Sequence, residues 1–568
     1  MPSLGGHLTK RRKKKKKSNL LKKAVSVLLV ASALAGCGSS ASQTATTAAP
    51  AAAGTETSEA ATEAASSESS AEPGTITMAM VSAWDSIIPF DTTSSYSDAV
   101  LDLIYDKLVY LKQDGTYEPR LADKWSMSDD NKVLTVHLNE NAKWQDGEPV
   151  TADDVVFTMQ VYNSPSAAVV RQNNVSPFAG FKEGDDSLQV KAVDEHTVEM
   201  TCAEPTNMDF LFFIKFRDIY ILPKHLLGDT PYADIRNNSY WEKPIGSGPC
   251  IYESQISGER MEFKANKDYY LGAPDFDRLV FKKVQSSNLL SGLMSGDIDV
   301  LSGNSQIPLA DWEAAKNTQG IVTKSVPTFA YQYMAMNTAR DYLTEDVRHA
   351  ISLAINRQVI VDQLLQGEAR IAIGPLAEDH PYFDEKLLPI EYDPEKAKSM
   401  LEAAGWDSNR ELQVLVSTGN EVREKSAILI QQDLQKIGIK TKIQTLDFPT
   451  LLTNARNGDY DLCFIGSAGS VDPSESVPNV TAGYMNNFAQ LSDPTLGQIG
   501  ESGAKEITFE ARKKIYDQYQ EELFKQMPMA FLYHTNDLFA YNEKLENVRE
   551  GAIDYNINKN VWEWKVNK

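Results

Sequence analysis

Cysteine is scarce in this sequence, with only four among 568 residues. Cys202, Cys250 and Cys463 lie far apart and form no C-x-x-C pair, so neither a disulfide framework nor a zinc site is predicted. We expect buried free thiols, and a single Cys202–Cys250 bridge is left open as the alternative. The fourth cysteine, Cys37, ends an apolar segment near the N-terminus.

The sequence also lacks the motifs that would indicate an enzyme. Its seven histidines are scattered and form no H-E-x-x-H pattern, which argues against a zinc hydrolase. The stretch "IGSAGS", residues 465–470, does not have the glycine spacing of a nucleophile elbow. The stretch "PIGSGP" has neither the lysine of a phosphate-binding loop nor the third glycine of a dinucleotide site. We therefore predict no catalysis, no cofactor and no metal site.

Charge is unevenly distributed along the chain. Residues 1–36 contain ten lysines or arginines and no acidic residue, whereas the formal charge of the whole chain is −22. Without those ten positive charges the remainder carries about −32, which would repel nucleic acid. A nucleic-acid partner is therefore not predicted.

The basic N-terminal segment predicts export. "TKRRKKKKKSNLLKK" precedes "AVSVLLVASALAG", which is too short for a permanent membrane span. It ends in "LAGC", which resembles a bacterial lipobox and predicts cleavage of residues 1–36 with lipid attachment to Cys37. An ordinary signal peptide with an incidental cysteine is the alternative. Residues 37–74 are rich in Ser, Thr, Ala and Glu and predict a disordered tether, on the outer face of the cytoplasmic membrane.

Four carboxylates crowd into "AKWQDGEPVTADDVVF", between residues 146 and 154. Asp146-Gly147 is a strong turn dipeptide, because glycine reaches positive φ without strain. Thr151, followed three residues later by Asp154 and then by apolar residues, predicts a capping box at the start of a helix. The alternating oxygen ligands of a calcium loop are absent, so a metal-binding loop is not predicted.

Apolar periodicity predicts strands and helices in alternation, hence α/β architecture. "GTITMAMVS" predicts an opening strand, "SDAVLDLIYDKLVYL" an amphipathic helix, and "SLQVKAVDEHTVEMTC" a hairpin. "ELQVLVST", "REKSAILIQQDLQKIG" and "IKTKIQTL" predict a strand, a helix and a second strand. Such a βαβ unit implies a partly parallel sheet.

Several blocks resemble, in the same order, the family 5 extracellular solute-binding proteins of ABC importers. Leu103 to Met159 contains the family's Tyr-Asp-x-Leu helix, its Pro-x-Leu-Ala-x-x-Trp step and its Asp-Gly turn. "PIGSGPCIY" is similar to the family's Gly-x-Gly-Pro-Tyr element, with Cys250 in place of the aromatic residue. The run "DVRHAISLAINR", Asp346 to Arg357, matches a further family marker. The resemblance covers roughly residues 75–566.

The resemblance implies an α/β, two-lobed periplasmic-binding-protein-like fold (type II, cluster C), with a hinge between the lobes and an extra inserted domain. The implied division is residues 75–118, 245–330 and 526–568 for lobe I, 119–244 for the inserted domain and 331–525 for lobe II. The implied function is a substrate-binding lipoprotein that acts as a monomer and captures a small solute. The predicted solute is a peptide. The protein would deliver it to the permease and ATPase subunits of an importer. An oligosaccharide or a metal chelate is the alternative ligand, and an extracellular hydrolase or a signalling lipoprotein is the alternative function.

Ligand sites combine aromatic walls with a few placed polar groups. The candidate ligand-binding residues are Trp84, Asp85 and Ser86 after the first strand, Tyr331 and Tyr333 at the crossover into lobe II, and Ser467, Gly469 and Asp472.

The anchor for a peptide ammonium departs from the family pattern. In the family's peptide binders a Trp and then an Asp precede an acidic-Pro pair, and that Asp binds the α-amino group. Here the pair is Asp472-Pro473, and Gly466 and Gly469 occupy the Trp and Asp places. A bound peptide would need another carboxylate, for which Asp472 and Asp85 are the candidates. Capping a helix is the alternative role of Asp472.

Overall fold

The computed structural model describes residues 74–112, 116–302, 305–549 and 557–567. The predicted signal peptide, the lipid-attachment residue Cys37 and the tether up to residue 73 lie outside these ranges. No helix within the described ranges combines the length and the apolar character that a bilayer span requires.

Strands and helices alternate along the described chain. The strands are β1 (Thr75–Met80), β2 (Val109–Leu111), β3 (Tyr117–Pro119), β4 (Ala122–Met127), β5 (Val133–Leu138), β6 (Val190–Ala192), β7 (Thr197–Thr201), β8 (Cys250–Ile256), β9 (Arg260–Ala265), β10 (Arg278–Lys283), β11 (Val300–Leu301), β12 (Ile321–Met336), β13 (Ala369–Ile371), β14 (Glu411–Ser417), β15 (Lys440–Leu446), β16 (Leu462–Ser467), β17 (Met529–Asn542), β18 (Leu545–Glu546) and β19 (Lys565–Val566). The α-helices are α1 (Ser95–Ile104), α2 (Ala152–Asn163), α3 (Met208–Phe210), α4 (Lys224–Leu227), α5 (Leu289–Ser295), α6 (Leu309–Lys316), α7 (Glu345–Ala354), α8 (Arg357–Val359), α9 (Pro394–Ala403), α10 (Glu421–Lys436), α11 (Phe448–Asn457), α12 (Thr495–Lys505) and α13 (Phe509–Gln526). A 3-10 helix, Pro473–Val480, follows β16.

Eleven strands form one mixed sheet in the order β15-β14-β16-β12-β17-β11-β1-β10-β9-β8, with β13 paired to β17 off this path. β12 and β17 are long antiparallel strands of 16 and 14 residues. The C-terminal part of β12 pairs with β16, and the C-terminal end of β17 pairs with β11. This two-stranded ribbon therefore connects the two halves of the sheet. Its pairing is interrupted between Pro327 and Tyr331, where the register of the two strands shifts.

Alternation along β12 directs successive side chains into two different cores. Tyr331, Tyr333 and Ala335 join one apolar cluster, whereas Met334 and Met336 join another on the opposite face. A separate four-stranded sheet, in the order β4-β5-β7-β6, packs into the largest cluster, together with β1 and β8 to β10. Each large sheet face is thus covered by apolar side chains.

Several predicted elements are confirmed. The opening strand is β1, the hairpin is β6 and β7, and the βαβ unit is β14, α10 and β15, whose two strands are parallel. Asp154 accepts a hydrogen bond from the Thr151 N–H at 2.8 Å, which completes the predicted capping box at α2. Gly147 has φ +97 in the predicted turn. Cys202, Cys250 and Cys463 are buried free thiols, and so the alternative of a Cys202–Cys250 bridge is wrong.

One predicted helix is too long. α1 ends at Ile104, and Tyr105 has an extended backbone with φ −121. Val109–Leu111, the end of the predicted helix, instead forms β2 and pairs with β3. Leu108 and Val109 are buried in either conformation, so helical spacing alone could not distinguish a helix from a short buried strand.

Candidate functional site

A pocket of about 390 Å³ lies at the C-terminal end of β16. This volume falls within the range of roughly 300–1,000 Å³ that is usual for small-molecule sites. Its walls are the middle of β12 at Tyr331, the loop after β16 and the 3-10 helix Pro473–Val480. Pro375 and Leu376 complete the lining. The lining residues are Tyr331, Pro375, Leu376, Ser467, Ala468, Gly469, Ser470, Asp472, Ser474, Glu475, Ser476 and Pro478.

Gly469 is required by the path of the loop that forms the pocket wall. Its φ is +72, in the left-handed region that a glycine adopts without steric cost. A Cβ placed on Gly469 would overlap the carbonyl oxygen of Phe329. The loop after β16 therefore approaches β12 so closely that no carboxylate can stand at this position.

Gly466 faces another side chain instead of a ligand. A Cβ at this position would overlap the side-chain amide of Gln332. That amide oxygen accepts hydrogen bonds from Arg423 at 3.1 and 2.8 Å. The pair formed by Gln332 and Arg423 thus fills the space beside the position where the family pattern has a tryptophan.

Asp472 is held in a fully buried ion pair. Both oxygens accept hydrogen bonds from one nitrogen of Arg512, at 3.1 and 2.9 Å, and neither side chain is exposed at all. Burial acts to lower the pKa of Arg512, but the charge and hydrogen bond of Asp472, together with Tyr382 and Tyr516, outweigh this effect and the pKa is raised. Asp472 also accepts from the backbone N–H of Ser474 at 2.9 Å and so caps the 3-10 helix. The capping role is therefore present, and the charge of this carboxylate is already compensated.

The three candidates after β1 do not line the pocket. Trp84 is only 7% exposed, packs in the largest core cluster and donates its indole N–H to Gln255 at 2.9 Å. Asp85 accepts from the hydroxyls of Thr92 and Ser97. Although burial acts to raise its pKa, these hydrogen bonds outweigh that effect, and the pKa of Asp85 is lowered. These groups stabilise the loop after β1.

The Ser86 hydroxyl likewise has a local role, because it accepts a hydrogen bond from the backbone N–H of Ile88 at 3.0 Å. This loop was predicted to bind a ligand, but in the structure its polar groups make hydrogen bonds to neighbouring residues.

The two tyrosines of β12 have different roles, although their side chains lie on the same face of the strand. Tyr331 lines the pocket, and its hydroxyl accepts a hydrogen bond from the Asn479 amide at 3.1 Å. Tyr333 is not among the lining residues and is buried, with its ring centroid 5.6 Å from that of Tyr331. Of the eight predicted ligand-binding residues, the pocket brings together Tyr331, Ser467, Gly469 and Asp472.

The family description "Bacterial extracellular solute-binding proteins, family 5 Middle" matches residues 116–487, more than half of the chain. The chain belongs to this family. The oligopeptide-binding protein AppA of Bacillus subtilis is 27% identical over 497 residues, which cover 81% of this chain and 86% of that protein. Di/tripeptide-binding protein 1 of Pseudomonas aeruginosa is 28% identical over 476 residues, which cover 78% and 86%.

Solved structures confirm the predicted two-lobed α/β fold. AppA of Bacillus subtilis, in complex with a nonapeptide, is similar with a TM-score of 0.67 at 24% identity. The substrate-binding protein CtaP of Listeria monocytogenes is similar with a TM-score of 0.77, also at 24% identity. Each comparison covers 87% of this chain and 99% of the other.

In this family 5 protein, segments that are distant in sequence contact one another outside the pocket lining. Leu111 packs in one apolar cluster with Phe329, Ala377 and Val471, and Tyr117 packs against it. The Asn207 side-chain amide donates a hydrogen bond to the carbonyl of Ile507, in the connection between α12 and α13. The structure therefore represents an arrangement in which residues before 245 contact residues after 330.

His380 holds the pocket loop in place through a hydrogen bond to its backbone. Its Nε2 donates to the carbonyl oxygen of Ser470 at 2.9 Å, and its Nδ1 accepts from the Tyr382 N–H at 3.0 Å. Burial lowers the pKa of His380 to about 4, so the ring is neutral near pH 7. Within the described residues no group of three or more His, Cys, Asp or Glu is placed to hold a metal ion.

Sequence reasoning missed Pro375, Leu376 and the residues that follow Asp472 in the 3-10 helix. Glu475 is the most informative of these, because it is an acid that lines the pocket and is exposed. The available signal was its place three residues after Asp472, in the first turn of a helix that the capping interpretation of Asp472 already implied. The segment with Pro375 and Leu376 offered no comparable signal.

Proposed function

We propose that this protein is the lipid-anchored receptor of an ABC importer and captures a short peptide between two lobes. The observation that carries the proposal is the pocket at the end of β16, bordered by the long ribbon that joins the two halves of the sheet. The family match and the peptide-binding relatives support the same conclusion. The receptor would hand its ligand to permease and ATPase subunits at the outer face of the cytoplasmic membrane.

The lobes of this proposal follow the division drawn from the resemblance. Lobe I comprises residues 75–118, 245–330 and 526–568, the inserted domain comprises 119–244, and lobe II comprises 331–525. β12 and β17 cross between the two lobes, and the interruption between Pro327 and Tyr331 is the natural point for bending. Ligand capture would then proceed by hinge closure.

The protein would act as a monomeric receptor and not as an enzyme. The pocket offers serine hydroxyls, but none of its lining residues is a histidine that could serve as a base for them. The buried His380 contacts the pocket loop only through a backbone carbonyl. An extracellular hydrolase would need a base within hydrogen-bond reach of a nucleophile.

Mass spectrometry of the ligand retained through mild purification tests the peptide assignment. We expect intact short peptides, recovered without modification. An oligosaccharide or a metal chelate in their place would correct the ligand class, and turnover of a peptide or glycan pool by the pure protein would overturn the receptor role.

Replacement of Cys37 tests the anchor. With Cys37→Ala the protein is expected to leave the membrane fraction, or to stay unprocessed in it, because no thiol is available for lipid attachment. Equal membrane binding with the signal peptide cleaved elsewhere would contradict the anchor. Loss of peptide uptake in a deletion strain would separate transport from signalling.

A further inference from the structure

The pocket presents one acidic side chain without a hydrogen-bonded or ion-paired partner among the described residues. Asp472 and Glu475 are its only charged lining residues among those described, and both are acidic. Asp472 is neutralised by Arg512 and has no exposed surface. Glu475 is exposed, and within the described part of the chain its carboxylate makes no hydrogen bond or ion pair.

Glu475 lies on a helix whose start is fixed by a buried ion pair. It lies in the first turn of the 3-10 helix Pro473–Val480, which Asp472 caps. The buried ion pair with Arg512 fixes this cap, so the start of the helix cannot shift without breaking the pair. The backbone at Glu475 is therefore fixed beside the pocket, and its exposed, unpaired side chain is left to be ordered by a ligand.

Lys215, which is remote from Glu475 in sequence, interacts with it electrostatically. Lys215 donates to the carbonyl oxygen of Asn173 at 3.0 Å and lies 3.4 Å from the Ser176 hydroxyl. Burial lowers the pKa of Lys215, and the charge of Glu475 acts in the opposite direction. Lys215 does not line the pocket, so the Glu475 carboxylate still faces a ligand there.

The geometry points to Glu475 as the specificity-determining residue of the pocket, binding a primary ammonium group of the ligand. This inference rests on the proposed function and gives the ligand's chemistry as a short peptide with a free N-terminus. An ammonium that leaves water needs a charged partner, and Glu475 is the acidic lining residue that no other side chain pairs.

Calorimetry with tri-alanine and N-acetyl-tri-alanine tests the inference. The wild-type protein is expected to bind the free amine roughly tenfold or more tightly than the acetylated form, as a charge-assisted hydrogen bond predicts. Glu475→Gln is expected to remove this preference by weakening tri-alanine alone. The control Glu501→Gln replaces an exposed acid of α12 that does not line the pocket, and it should leave both affinities unchanged. Equal melting temperatures would show that both variants are folded.

An equal effect of Glu475→Gln on both peptides, or no effect, would overturn the inference and leave the receptor function standing. If the wild type binds neither peptide, the ligand released from the purified protein replaces them as the probe. A released ligand without an amine would refute the role of Glu475. A non-peptide amine whose binding requires Glu475 would support that role while refuting the peptide assignment.

Discussion

In the buried pair of Asp472 and Arg512, the arginine compensates the charge of a carboxylate that was predicted to bind a ligand. Removing one member of such a pair leaves an uncompensated buried charge, which typically costs about 3–5 kcal/mol. Arg512→Met is therefore expected to lower the free energy of unfolding by that amount, as measured by urea denaturation. Lys513→Met, which removes an adjacent pair with Asp517 on a partly exposed helix face, is the control and should cost about 0.5 kcal/mol. A similar cost for both variants would contradict the importance of the buried pair.

A second prediction at the scale of single residues concerns Asp537 on β17. Only one oxygen of its buried carboxylate has a hydrogen-bond partner among the described residues. Asp537 is 4% exposed, and one oxygen accepts from the Gln306 amide at 2.6 Å. The other oxygen has no hydrogen-bond partner among the residues that the structure describes. Burial raises its pKa to about 7, against the smaller lowering effect of Gln306. The folded state therefore binds a proton that the unfolded state has lost between about pH 4 and 7, and stability falls as pH rises through this window.

Asp537→Asn should reduce the loss of unfolding free energy that accompanies the rise in pH. A group with this shift contributes at most about 4 kcal/mol to the difference in unfolding free energy between pH 4 and pH 8, and we expect a change of roughly 2 kcal/mol. Urea denaturation at both pH values measures it. Asp447→Asn, at an exposed helix cap whose pKa is lowered by hydrogen bonds from Thr450, should leave the fall above pH 5 intact. An unchanged fall in Asp537→Asn would assign it to other groups.

At the scale of elements, the loop after β16 is defined by how closely it approaches β12. Gly469→Ala would add the strain of positive φ, about 1 kcal/mol, and also an overlap with the Phe329 carbonyl. We expect it to displace the pocket wall, lowering the melting temperature and the affinity for the retained ligand. Gly483→Ala isolates the strain, because Gly483 has φ +83 with no atom within 4 Å of an added Cβ. Equal effects of both substitutions would exclude the overlap as the cause.

At the scale of the whole molecule, the proposed lobe closure is expected to depend on contacts between parts of the chain that are remote in sequence. Asn207→Asp keeps the acceptor that caps Phe210 and removes the donor to the Ile507 carbonyl. Losing one such hydrogen bond, worth about 0.5–1.5 kcal/mol, should weaken ligand binding roughly two- to tenfold, mainly through faster dissociation.

Asn238→Asp is the matched control for closure. Asn238 also caps a short helix, at Tyr240, and donates to Thr230 within the same segment of the chain. It should alter stability without altering ligand dissociation. Small-angle scattering should show a more open ligand-bound molecule for Asn207→Asp alone. Equal dissociation rates in the two variants would count against the role of this contact in closure.

The sequence by itself determined the elements whose signals are local. The periodicity of β14, α10 and β15 and the capping box at Thr151 depend on residues within a few positions of one another, and the predictions for them are confirmed. The family was also readable from the sequence, because its motifs are short and occur in order. Even the missing acid at position 469 was visible as a glycine.

Only the tertiary structure decided which of those residues line the pocket. Arg512 lies forty positions from Asp472, and the sequence gives no sign that the two pair. Tyr331 and Tyr333 point to the same strand face, yet only one lines the pocket, because strand alternation fixes a face and not the distance to an opening. Glu475 is left as the open carboxylate because the other acid is neutralised. Such pairing depends on packing between distant segments, which local residue patterns do not encode.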